Sequence, residues 1–207
     1  MLYIVTPLSR PENLKQIAES FRLGVGSNIL FRWYCVLDGK LTAQEKNEVL
    51  HMENKFRSFH ILFSDHSNSF VGHSHRNWFL DNIYLDKKLK NPKEIDWVYF
   101  LDDDTLLHPD FLSNIISHLD NTKSAIIFNQ ENKDGSIRLR ADINNVKVCH
   151  IDMGQYVVNL SKLPTDLRFK EDDYCADGIF IEELFNRVGP EQFLVINKTL
   201  STYNKLR

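Results

Sequence analysis

An α/β fold with a mostly parallel central sheet flanked by helices, and a smaller irregular second half, is predicted by three features of the chain. Short apolar runs alternate with amphipathic helical patterns over residues 1–130. The run Trp97-Val98-Tyr99-Phe100-Leu101 is apolar at every position, as expected of a central strand covered on both faces. From Asn129 onward polar, turn-rich sequence takes over.

The elements follow in order. Leu2 to Val5 reads as a buried strand that ends at Thr6-Pro7. A helix follows, with Pro11 near its first position, Glu12 in its first turn, and Leu14, Ile17, Ala18 and Phe21 on one face. Gly24 and Gly26 stop it. Phe31 to Leu37 is a second strand, ending at Asp38-Gly39. Thr42-Ala43-Gln44-Glu45 is a capping box, and Val49 and Leu50 mark the apolar face of the helix it opens. Phe59 to Phe63 is a third strand. A polar loop from Ser64 to His75 leads into a helix over Arg76 to Leu89. After the Trp97 strand, Pro109 opens a helix with Phe111, Leu112, Ile115 and Ile116 turned inward, and Ser124 to Phe128 is a further strand. In the second half, Asp134-Gly135 signals a hairpin. Val146 to Val158 holds a strand interrupted at Gly154, Ala176 to Val188 is helical, and Phe193 to Ile196 is a short strand. One domain over 1–207 is expected, divided into halves 1–130 and 131–207.

Composition narrows the function classes. The 207 residues are 43% hydrophobic, enough for a real core. Lys+Arg total 25 against 28 Asp+Glu, a net charge of -3, which argues against a dedicated nucleic-acid binder. The longest apolar runs are about six residues, far below the ~20 that span a bilayer, so no transmembrane segment is expected. The apolar start lacks a basic region and stops at Pro7, unlike a signal peptide. The three cysteines, Cys35, Cys149 and Cys175, include no CxxC pair, so neither a disulfide framework nor a Cys-rich zinc site is expected. A cytoplasmic protein follows, either free, peripheral to a membrane or part of a larger enzyme.

The chemistry concentrates in Asp102-Asp103-Asp104, directly after the apolar strand. In open α/β sheets ligands bind beyond the carboxyl ends of the strands. Residues two apart on an extended chain point the same way, so Asp102 and Asp104 can face one ligand while Asp103 faces elsewhere. All-oxygen ligation suits Mg²⁺ or Mn²⁺, which also bridge to phosphate oxygens. The plainer alternative is an exposed acidic turn before the helix at Pro109. Three other chemistries fit poorly. Thr105 comes one position early for a phosphatase of the haloacid dehalogenase type. The first strand ends in Val5-Thr6-Pro7, without the acidic pair of a receiver domain. The only GxG, Gly24-Val25-Gly26, follows a helix and has no third glycine, unlike a dinucleotide site.

Four motifs in order carry a more specific likeness: Val5-Thr6-Pro7-Leu8-Ser9-Arg10-Pro11, Asp38, Arg76-Asn77 and Leu101-Asp102-Asp103-Asp104. Together they resemble the GT-A nucleotide-sugar-dependent glycosyltransferases, family 2-like. The likeness is good over residues 2–130 and loose beyond. It implies a GT-A-like fold and transfer of a sugar from a nucleotide-diphosphate donor, a UDP-sugar above all, to a carbohydrate or other hydroxyl acceptor with inversion.

Residue by residue, the resemblance implies nucleotide contacts for Thr6, Pro7 and Arg10, and a base contact for Asp38. Arg10 could equally be a solvent-facing residue at a helix start, and Asp38 a turn-former before Gly39. Arg76 and Asn77 would sit beside the diphosphate. His73 and His75 are either further ligands or simply exposed. Asp102 and Asp104 match the metal site, with Mn²⁺ or Mg²⁺ as cofactor, and Asp103 accompanies them in the donor site. His108 and His150 are the available late histidines. Asp177 in Ala-Asp-Gly is the first choice of general base, followed by Asp173 and Asp172. Asp177 could also cap its helix, and the acidic run 171–173 could be a solvated loop. Asp152 could touch the donor sugar.

Two other functions stay open. A nucleotidyltransferase that makes nucleotide-sugars would share the plan, but Pro7-Leu8-Ser9-Arg10-Pro11 lacks the glycines of a triphosphate loop. A non-catalytic nucleotide- or carbohydrate-binding module would need no base.

Overall fold

The computed structural model describes residues 1–23, 31–37, 41–53, 59–64, 72–85 and 94–207. The first three strands, β1 (Leu2–Leu8), β2 (Phe31–Leu37) and β3 (Phe59–Phe63), are joined by β4 (Trp97–Phe100) in a parallel block ordered β3-β2-β1-β4. Connections between them run through α1 (Leu14–Leu23), α2 (Ala43–Glu53) and α3 (His73–Phe79). The remaining strands are β5 (Leu106–Leu107), β6 (Ala125–Glu131), β7 (Ile137–Leu139), β8 (Tyr156–Asn159) and β9 (Phe193–Thr202), with helices α4 (Phe111–Ile116) and α5 (Ala176–Val188).

The second half completes the same sheet in a different sense. β8 pairs antiparallel with β4, and β6 antiparallel with β8. β9 then lies parallel to β6 and antiparallel to β5. β7 folds back on β6 as the hairpin that Asp134-Gly135 signals, with Gly135 at φ 83. Parallel pairing thus dominates the first half, while the second half is mixed.

Period-two alternation sends the sheet's side chains into two cores. Tyr3, Val5, Tyr34, Val36, Val98 and Phe100 pack with Phe79, Phe169, Phe180 and Leu184 on the face of α3 and α5. Leu2, Ile4, Trp33, Cys35, Trp97 and Tyr99 pack with Leu14, Ile17, Val49, Phe111 and Ile115 on the face of α1, α2 and α4. Burying each such side chain contributes about 1.5–3 kcal/mol.

Several boundaries move. β1 runs past Pro7 to Leu8, because β4 pairs only with Leu2–Val5 and leaves Pro7 beside β2 alone. α3 begins at His73 and passes into a π-turn over Leu80–Tyr84. The strand expected over Val146–Val158 shrinks to Tyr156–Asn159. There Asp152 and Gln155 form a capping box around the 3-10 turn Met153–Gln155, satisfying backbone groups that a strand would have paired. β9 is longer than expected: it bulges between the partners of Phe128 and Asn129, then continues to Thr202. The stop signals Gly24 and Gly26, the turn Asp38-Gly39 and the expected helix end beyond Leu85 lie outside the described residues.

Candidate active site

The strand order reverses between β1 and β4, since β1 leads to β2 on one side and pairs with β4 on the other. Such a switch point opens a crevice at the carboxyl ends of the strands. A cleft of about 610 Å³ lies there, a volume typical of small-ligand sites. Its walls carry Arg10, Arg76, Arg138 and Arg207 together with Asp102, Asp103, Asp104, Asp152 and Asp177.

The three consecutive aspartates do three different things. Asp103 is buried and turned under the β1 loop. Its Oδ2 accepts from the Ser9 backbone N–H at 2.7 Å, the Ser9 hydroxyl at 2.8 Å and the Arg10 N–H at 2.8 Å. Its Oδ1 accepts from Arg10 Nη1 at 2.5 Å, and its carbonyl from Asn13 Nδ2 at 2.8 Å. Asp103 therefore locks the loop that carries Arg10.

Asp102 faces the cleft floor, 37% exposed, and pairs through Oδ1 with Arg76 Nη2. Desolvation at the cleft floor raises its carboxyl to about 6, Arg76 opposes this, and the charges of Asp152, Asp104 and Asp103 add to it. Arg76 is itself buried. It meets His73 Nδ1 at 2.8 Å and lies 5.7 Å over the Phe169 ring. Burial, and then the Arg76 charge, lower His73 to about 4, so it is neutral at physiological pH.

Asp104 is buried, and its Oδ2 meets Arg10 Nη1 at 3.0 Å and Arg207 Nε at 2.8 Å. Its carbonyl accepts from the Leu206 N–H at 3.0 Å. With its amide nitrogen turned inward, Asn204 donates to Asp104 Oδ1 at 3.2 Å. Segment 203–207 is thus fastened over the acidic cluster.

Asp177 lies in the first turn of α5 and accepts from the Met153 N–H at 3.2 Å. Burial and the nearby Asp152 charge raise its carboxyl, opposed by the N–H groups of Gly178 and Met153. Asp152 caps the turn beneath it and pairs with Arg138 at 3.0 Å.

The other residues singled out by sequence fall less centrally. Pro7 lines the cleft, where its ring lies against Gly72: a Cβ at Gly72 would come within 2.7 Å of Pro7 Cβ. The Thr6 side chain is buried away from the cleft and accepts from the Trp33 indole at 3.0 Å. Asn77 ties α3 to the second half, exchanging hydrogen bonds of 2.9 Å with both backbone groups of Phe169 and donating to Glu171 at 3.0 Å. Asp173 spends Oδ1 on the Cys175 N–H at 2.9 Å, Asp172 is exposed, and neither lines the cleft. Asp38 lies outside the described residues. His75 lines the cleft; His108 and His150 do not.

Sequence reading missed Arg138, Tyr203, Asn204 and Arg207. Arg138 carried a weak signal, a cation in a three-residue strand just after the hairpin turn. Arg207 carried none, because it reaches Asp104 only through the return of β9.

A hard divalent cation prefers oxygen donors. Asp102 and Asp104 supply carboxylates two residues apart on the cleft wall. Among the described residues no three His, Cys, Asp or Glu side chains converge on one point. In this structure, however, both carboxylates are engaged by arginines, Asp102 by Arg76 and Asp104 by Arg10 and Arg207, so a cation would have to displace these contacts.

No protein-family model matches the sequence, and no curated protein matches it. Solved structures match the fold. S. aureus TarS 1-349 in complex with UDP-GlcNAc superposes with a TM-score of 0.70 at 14% identity, covering 97% of this chain and 57% of that one. The same protein in complex with UDP gives 0.69 at 16% identity, covering 97% and 59%. The mannosyltransferase PcManGT from Pyrobaculum calidifontis, in complex with GDP-Man and Mn²⁺, gives 0.62 at 11% identity, covering 98% and 56%. The chain spans less than two thirds of the length of these proteins. The fold is GT-A-like, as in these glycosyltransferases. Among the described residues no helix is long and apolar enough to cross a membrane.

Proposed function

We propose that the protein transfers a sugar from a nucleoside-diphosphate donor, a UDP-sugar, to an acceptor hydroxyl with inversion. The observation that carries this reading is the mixed lining of the switch-point cleft: arginines suited to a diphosphate beside carboxylates suited to a cation and a base. The structures of similar fold in complex with UDP-GlcNAc, UDP and GDP-Man support the donor class.

In this reading residues 1–130 hold the donor and 131–207 present the acceptor. Arg10 and Arg76 face the diphosphate, and Pro7 with the Asp103-locked loop shapes its seat. Thr6 and Asn77 act by holding that seat in place, and Asp38 would reach the base. Asp102 and Asp104 would hold Mn²⁺ or Mg²⁺, which would neutralise charge on the leaving diphosphate. Asp152, held by Arg138, borders the donor sugar. Asp177 takes the proton of the acceptor hydroxyl as its oxygen bonds to the anomeric carbon. The bond from that carbon to the diphosphate oxygen breaks, and the nucleoside diphosphate leaves. Asp177 is favoured over Asp173 and Asp172 because it alone of the three lines the cleft.

The test is to incubate the protein with UDP-sugars and Mn²⁺, with and without added pyrophosphate, and identify the nucleotide product. Release of UDP supports transfer or its hydrolytic side reaction. Uptake of pyrophosphate to give UTP and a sugar phosphate would replace it with a nucleotidyltransferase. Binding without turnover would leave a non-catalytic module. The Asp104→Asn variant should lose Mn²⁺-dependent UDP affinity; unchanged affinity would remove Asp104 from the metal site.

A further inference from the structure

Cys149 and Cys175 place their Sγ atoms 3.9 Å apart on the cleft wall, from segments 26 residues apart in sequence. Cys149 is exposed and Cys175 half-buried. Neither belongs to the donor or base machinery, yet Cys175 lies two residues before Asp177 and Cys149 three before Asp152.

Their approach is built by the surrounding backbone. Gly178 lets segment 148–149 lie directly on the start of α5: a Cβ there would stand 3.1 Å from Val148 Cα and 3.4 Å from the Cys149 nitrogen. The Val148 N–H donates to Glu182 Oε2 at 2.9 Å, clamping the same segment one turn along the helix. Cys149 itself is held at φ 68, a left-handed conformation that disfavours side chains of its type. On the other side, the Cys175 N–H donates to Asp173 Oδ1 at 2.9 Å, and its carbonyl accepts from the Ile179 N–H at 3.0 Å. Both thiols are thereby presented from braced positions.

We propose that Cys149 and Cys175 form a reversible dithiol–disulfide pair that responds to small-molecule disulfides such as oxidised glutathione. Bond formation requires the sulfurs to close to about 2.05 Å, within reach of side-chain rotation and a small loop movement. The exposed Cys149 thiolate attacks one sulfur of the small disulfide, forming a mixed disulfide and expelling one thiolate. Cys175 then attacks the Cys149 sulfur and expels the second. Two protein S–H bonds become one S–S bond, the small disulfide is reduced to two thiols, and the two protons end on those thiols. The hydrogen bond to Cys149, with burial, holds the Cys175 thiol above its usual value, in keeping with its role as the resolving partner. The bond would fasten the segment before Asp152 to the helix start that carries Asp177.

Cys35 is buried in the core and serves as an internal control. The purified full chain is equilibrated with mixtures of reduced and oxidised glutathione, free thiols are alkylated, and intact and peptide masses are read. The expected result is joint loss of two of the three thiols at one midpoint, an unalkylated intact mass about 2 Da below that of the reduced chain, and a peptide joining Cys149 to Cys175. The melting temperature should rise by about 5 °C. Cys149→Ser and Cys175→Ser should each carry a single glutathione adduct instead. Stable glutathione adducts on wild type, disulfide-linked dimers, or three thiols retained under full oxidation would each overturn the proposal. The readout needs no donor, so it stands or falls separately from glycosyl transfer.

Discussion

Arg207 Nε lies 2.8 Å from Asp104 Oδ2, the oxygen that also meets Arg10 Nη1 at 3.0 Å. Two guanidinium groups therefore stand where a divalent cation would approach Asp104. Arg207 is the more removable of the two, being 55% exposed. Arg207→Ala should increase Mn²⁺ affinity several-fold and change stability by less than ~1 kcal/mol. Calorimetric Mn²⁺ titration with UDP present checks this; weaker Mn²⁺ binding would make Arg207 a donor ligand rather than a competitor.

Asp177→Asn should leave donor affinity intact and lower transfer by at least ~10²-fold. The base must be ionised, and burial and Asp152 raise its carboxyl. The acid limb of the pH–rate profile should therefore lie above the ordinary aspartate range. Removing the Asp152 charge relieves one of these causes, so Asp152→Asn should move that limb to lower pH. A limb that stays in place would assign it to another group.

His73 predicts a specific acid sensitivity. Its folded-state value, lowered to about 4, lies below the ordinary histidine value of about 6.5. Between those values the unfolded chain binds a proton that the folded protein does not. Stability contributed by neutral His73 is complete above about 6.5 and is lost as pH falls toward 4. Urea titrations across that window should show a slope that His73→Gln flattens.

Gly154 faces the Gln130 side chain closely: a Cβ there would lie 1.9 Å from Gln130 Nε2. Gln130 Oε1 in turn holds Arg138 Nη1 at 2.5 Å. Gly154→Ala should cost about 1–3 kcal/mol by overpacking and release Arg138 from its position beside Asp152. Thermal unfolding reads the first effect, and a raised KM for the donor with little change in kcat reads the second.

What could be read from sequence was local. The continuous apolar run at Trp97 announced a central strand, and the aspartates at its end could be placed at a ligand-binding edge. The separate duties of Asp102, Asp103 and Asp104 could not, because their partners come from elsewhere. Asp103 is satisfied by Ser9 and Arg10, 94 and 93 residues away. The capping box at Asp152 was visible in principle as Asp-x-x-Gln, but the apolar neighbours Ile151 and Met153 read as strand. Asp173 and Asp172 stood out as bases because Glu171-Asp172 resembles the family's acidic motif; in the fold Asp173 Oδ1 accepts from the Cys175 N–H and lies off the cleft lining, which the sequence does not show. β9 was cut short at Ile196 because a bulge interrupts alternation in the way a loop would.

The parallel pairing of β6 with β9 has a cost in time. Asn129 on β6 meets Asn197 on β9 across 68 residues of chain. At about 5–20 residues per second, a ribosome needs roughly 3–14 s to deliver that partner. Meanwhile the emerging polypeptide carries an unfilled edge of Ile126, Ile127 and Phe128, a template for pairing with neighbouring nascent chains. Translation speed thus sets how long that edge stays open, independently of the stability of the finished protein.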